Sequence, residues 1–113
     1  MSGPGSPRRE GPPQKRKREL DAALRLLVPL IPFDEAETIR EAAGKPAMKT
    51  LPASTAVWLA TVSHIRHRHS AYDALLEEGY SREAARFFVL DEINAVLTRW
   101  RTSRLLKADI EES

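Results

Sequence analysis

The chain has 113 residues, enough for one hydrophobic core and too few for two, since a domain needs on the order of 100 residues to bury one. It holds no cysteine, which excludes a disulfide framework and a thiolate metal site and fits a reducing compartment. The net charge of +2 is unevenly placed: in residues 1–19, Arg8, Arg9, Lys15, Arg16, Lys17 and Arg18 outweigh Glu10 and Glu19 to give +4, and the remainder carries −2.

Residues 1–14 contain Pro4, Pro7, Pro12, Pro13, Gly3, Gly5 and Gly11 and almost nothing apolar that could offset ordering entropy. A disordered basic tail over residues 1–18 is therefore expected, followed by a helical domain over 19–107 and an acidic tail over 108–113. The tail lacks the apolar segment of a secretory signal. No apolar run reaches the roughly 18 to 20 residues of a membrane span, and the longest, residues 26–33, is broken by Pro29 and Pro32. A cytoplasmic chain without a transmembrane segment is the expectation.

Leu20, Ala23, Leu24, Leu27 and Val28 recur at helical spacing, and the two prolines should end that helix. Asp34 and Glu37 have the spacing of a capping box for a second helix, with Gly44 as a left-handed stop. Residues 44–52 read as an exposed, mobile loop. A third helix over residues 53–69 is apolar on nearly every side in its first half, as befits a central element. It ends in His64, Arg66, His67, Arg68 and His69. Ser70 and Asp73 suggest a second capping box, which starts a short helix stopped by Gly79. Ser81 caps a fifth helix predicted to reach Leu105, with Ala85, Phe88, Val89, Ile93, Val96, Leu97 and Trp100 as its inner stripe. The predicted fold is all-α, a small bundle of four to five helices, with Trp58, Val62, Ile65, Phe88, Val89, Ile93 and Val96 in one core.

The run from His64 to Trp100 resembles the domain-of-unknown-function family 2293, whose pattern of His-x-Arg-His, Thr-x-Tyr-Asp, Leu-Leu and Ala-Arg falls here on His64, Arg66, His67, Tyr72, Asp73, Leu75, Leu76, Ala85 and Arg86. Ser70 stands where that pattern has threonine. The resemblance implies a helical domain and carries no assigned activity.

His64 and His67 lie one helical turn apart, a spacing that suits two imidazoles on one metal or on opposite sides of a phosphate. His69 lies about 140° round from His64 on a continuing helix. No completing carboxylate is evident in the spacing, so no metal, cofactor or catalytic residue is assigned. The plainest alternative has these side chains capping carbonyls and pairing with Asp73, Glu77 or Glu78. The leading functional expectation is a non-enzymatic module binding nucleic-acid phosphate through Lys15, Arg16, Lys17, Arg18, His64, Arg66, His67, Arg68, Arg99, Arg101 and Arg104. A protein-binding adaptor or a homodimerising module is the second reading, and a phosphodiesterase using His64 and His67 as acid and base the third. Residues 75–85, LLEEGYSREAA, are similar both to the turn of a helix-turn-helix and to the glycine-aromatic loop of ubiquitin-associated domains, which bind protein partners. The predicted fifth helix is about twice as long as either needs.

Overall fold

Leu20, Leu24 and Val28 stand four residues apart and are all buried, so one stripe of the first helix faces inward. In the computed structural model, which describes residues 11–107, that helix, α1 (Pro12–Leu27), begins eight residues before its apolar stripe. The expectation of a disordered segment through residue 18 is corrected here: residues 12–18 are helical. Gln, Lys, Arg and Glu are good helix formers, and Arg16 anchors the first turns by donating from Nη2 to the carbonyls of Met48 and Leu51 at 3.1 and 2.7 Å. The other expected tail residues, 1–10 and 108–113, lie outside the described ones.

After the Pro29–Pro32 turn, α2 (Phe33–Ala43) runs back along α1, with Ile39 and Ala43 buried. Its N-cap is Pro32, with no side-chain cap. The Asp34–Glu37 capping box is thus not formed. Glu37 instead pairs with Arg40 at 2.8 Å, and Arg40 reaches Asp21 of α1 at 2.9 Å. Gly44 has φ −88°, so the left-handed stop expected there is also absent. A single 3-10 turn, Pro46–Met48, lies in the connection that follows. The loop read as mobile is held by the two Arg16 bonds.

The central helix is α3 (Ala53–Arg68), which buries Ala56, Val57, Trp58, Ala60, Thr61, Val62 and Ile65. It packs against both α1 and α2. The chain then makes α4 (Tyr72–Glu77), α5 (Arg82–Phe88) and α6 (Leu90–Arg99). Gly79 takes φ +101° in the α4–α5 turn, the left-handed conformation that glycine adopts without steric cost. Ser81 Oγ accepts from the Ala84 amide at 3.0 Å, as a cap should.

The predicted fifth helix is two helices, broken at Val89, whose ψ of 6° departs from the helical value. Apolar spacing does not register such a break, because Val89 and Ile93 stay buried across it. Phe88 does not: it is 55% exposed and leaves the predicted core, while Trp58, Val62, Ile65, Val89, Ile93 and Val96 are buried. The second helix ends at Arg99 and not Leu105. There Arg101, at φ 60°, donates to Thr98 and Thr102 donates to Leu97, a Schellman stop with arginine in the usual glycine position. The chain folds back as a strap clipped by Asn94, which receives the Leu106 amide at 2.7 Å and donates to the Leu106 carbonyl at 2.9 Å. All described regular structure is helical. No helix among the described residues is long and apolar enough to cross a membrane.

Candidate functional site

The end of α3 leaves the helix at His69, its C-cap, where φ −128° and ψ 14° swing the imidazole out of helical register. The 140° offset predicted for a continuing helix therefore does not apply. His69 and His64 converge on one oxygen of Glu35, in the first turn of α2, with Nε2 to Oε1 distances of 2.6 and 2.8 Å. The site is sheltered: the side chains of His64, Glu35 and His69 are 7%, 20% and 29% exposed. Burial pushes the Glu35 carboxyl up, but the hydrogen bonds from His69 and His64, with their charges, outweigh it and hold the group below the ordinary carboxylate range. The His69 ring also meets Trp100 edge to face at 5.8 Å.

His67 turns the other way. Its Nδ1 lies 2.8 Å from Asp73 Oδ1, and its ring stands edge-on to Tyr72 at 5.4 Å. The predicted pairing of a helix-end histidine with Asp73 is present, whereas the sharing of a ligand by His64 and His67 is not. Asp73, engaged by His67, does not complete the expected capping box, and α4 has no side-chain cap at its formal N-cap, Ala71. Ser70 nevertheless bridges the two helices, its Oγ donating to the Arg66 carbonyl at 2.6 Å and accepting from the Tyr72 amide at 3.2 Å.

The predicted phosphate-binding residues fall into separate groups. Lys15, Lys17 and Arg18 are exposed on α1, while Arg16 is partly buried and held by the two carbonyls. The Arg66 guanidinium lies 5.4 Å from the Tyr72 ring centre, and that of Arg104 covers Trp58 at 3.9 Å. Arg68, Arg99 and Arg101 are exposed, and the His69–Trp100 contact brings their stretches of chain together. The Arg16 bonds place the first basic group beside the start of α3, whereas Arg66 and Arg68 lie at its other end, about 24 Å away along a helix of 16 residues. Arg104, over Trp58 in the second turn of α3, lies between the two ends.

A different surface was missed. Tyr80, Phe87 and Phe88 are 44%, 67% and 55% exposed, and their rings touch in series, Tyr80 to Phe88 at 5.4 Å and Phe88 to Phe87 at 5.9 Å. The available signal was the adjacency of Phe87 and Phe88: neighbours about 100° apart on a helix do not both face one narrow core. The break at Val89 also divides the long predicted helix, so α4, α5 and α6 are three short helices, the first two joined by the Gly79–Tyr80 turn and the last two by Val89. Residues 77–92 carry Glu77, Glu78, Glu83, Asp91 and Glu92 against Arg82 and Arg86, a net charge of −3.

Comparison with the curated proteins and with the solved structures gives no match. A family model described as an uncharacterized conserved protein, DUF2293, matches residues 23–101. The matched region contains Glu35, all three histidines and the aromatic surface, and leaves Lys15, Arg16, Lys17, Arg18 and Arg104 outside. Because it spans well over half of the chain, this protein belongs to the DUF2293 family.

Proposed function

We propose that this protein is a protein-binding adaptor that docks an apolar segment with basic flanks on the Tyr80–Phe87–Phe88 surface. The single observation that carries the reading is the exposure of three aromatic rings, touching in series through Phe88, on a short, capped helix and its glycine turn. Aromatic side chains are enriched at protein interfaces because each buries a large area at little entropic cost. The −3 charge of the surrounding segment repels phosphate and suits lysine or arginine beside the apolar anchor. The shortness of α4, α5 and α6 removes the length objection to a likeness with ubiquitin-associated domains.

The test is selection of binders from a displayed library of random peptides, followed by affinity measurement with the full chain. Selected peptides are expected to carry aromatic or aliphatic anchors beside Lys or Arg and to lose at least tenfold in affinity against Phe87→Asp. That exposed substitution should change stability by no more than about 0.5 kcal/mol. Peptides whose binding ignores Phe87→Asp, or whose flanks are acidic, would overturn the reading. So would sedimentation showing a second copy of the chain burying Phe87.

The phosphate reading has one observation in its favour, the exposure of Lys15, Lys17 and Arg18 on the early turns of α1. Its test is a Lys15→Glu/Lys17→Glu variant titrated with an oligonucleotide at two salt concentrations, since phosphate contacts set the salt slope. Deleting residues 1–18 would be a poorer test, because it also removes the Arg16 anchor. An acid–base pair of His64 and His67 gains no support, as the two face different carboxylates.

A further inference from the structure

Glu35, His64 and His69 present three donor atoms, one carboxylate oxygen and two imidazole nitrogens, all within 4.8 Å of one another. They come from two elements, the start of α2 and the end of α3, that the core already holds together. Two histidines and one carboxylate around a vacant fourth position is the donor set of hydrolytic zinc centres. We propose that Glu35, His64 and His69 form a three-ligand site for a divalent transition metal of the zinc type, with the fourth position facing solvent. This inference does not rest on the aromatic docking surface.

The geometry is close to what such an ion needs. With bonds of about 2.0 to 2.2 Å, tetrahedral donor atoms stand roughly 3.3 to 3.5 Å apart. The present Nε2 to Oε1 separations are 2.6 and 2.8 Å, so each nitrogen–oxygen pair must open by less than 1 Å, while the two nitrogens already lie within 4.8 Å of each other. Both imidazoles already direct Nε2 at the same point. In the loaded form each ring would carry its proton on Nδ1, freeing the Nε2 lone pair. A simple ion pair needs only one histidine on the carboxylate, whereas here two converge on one oxygen.

The surroundings favour a fixed site with an entry path. His64 is nearly buried, and His69 is held edge-on by Trp100 and stands 6.0 Å from the His64 ring. The remaining exposure of Glu35 and His69 leaves one side open to an ion and to a water as fourth ligand. Two imidazoles select Zn2+, Co2+, Ni2+ or Cu2+ over Mg2+ and Ca2+, which prefer oxygen alone.

The experiment uses the full chain stripped by a chelator and titrated with Zn2+ against a chromophoric competitor, and with Co2+ by visible absorption. One zinc per chain, a melting temperature raised by Zn2+ and not by Mg2+, and a four- or five-coordinate cobalt spectrum are expected. Glu35→Gln and His69→Gln, both at partly exposed positions where folding should survive, should each weaken zinc at least about tenfold, the lower end of the loss seen even for outer-shell partners. His67→Gln should leave it unchanged. A pale octahedral cobalt spectrum, zinc affinity equal in wild type and Glu35→Gln, or loss with His67→Gln alone would overturn the site.

Discussion

Ser70 shows how one hydroxyl can terminate one helix and begin the next. It donates to the last turn of α3 and accepts from the first amide of α4, so its removal leaves both groups short of a partner. Ser70→Ala should lower stability by about 1 kcal/mol, and Ser70→Thr, which keeps the hydroxyl, should be nearly silent. Thermal melts of both variants decide the assignment, and an alanine variant of full stability would refute it. The hydroxyl was readable from the sequence as a helix start, but its partners were not. Asp73 has the spacing of a capping residue and is instead drawn to His67, a competition that spacing does not rank. Glu35 could not have been matched to the histidines at all, since 29 and 34 residues separate it from His64 and His69.

At the level of helices, the positions of prolines, glycines and cap-type residues marked α2, α3 and α4 to within a residue or two, even though the capping boxes and the left-handed Gly44 stop expected there are not formed. They failed where the boundary depends on tertiary contacts. The start of α1 lies in a proline-rich, charged stretch that local composition reads as unstructured, yet Arg16 fastens it to carbonyls more than 30 residues away. The division of α5 from α6 at Val89 leaves no polar interruption in the pattern, so the apolar stripe reads straight through it. α6 is nevertheless the core element that the stripe implies, with Ile93 and Leu97 fully buried. Ile93→Ala should cost on the order of 2 to 5 kcal/mol through lost transfer energy and a cavity. A loss below about 0.5 kcal/mol in a reversible melt would place α6 outside the core.

Across the molecule, the end of α6 gathers the fold. The Leu30 amide donates to Trp100 and the Ser103 amide to Leu27, each at 3.2 Å, so the strap after α6 closes over the α1–α2 turn. The Asn94 clip then secures Leu106, outside any helix and beyond the last residue matched by the family. In deuterated water this gives the strap an unusual signature. An irregular segment normally trades its amide protons at once, but the Leu106 proton, held by a side chain of α6, should exchange on the slow timescale of the helices. In Asn94→Ala it should exchange at the rate of a free loop, while the amides of α3 keep their protection. A trimmed version of the domain ending at Arg101 would then lack a part that sequence comparison alone gives no reason to keep.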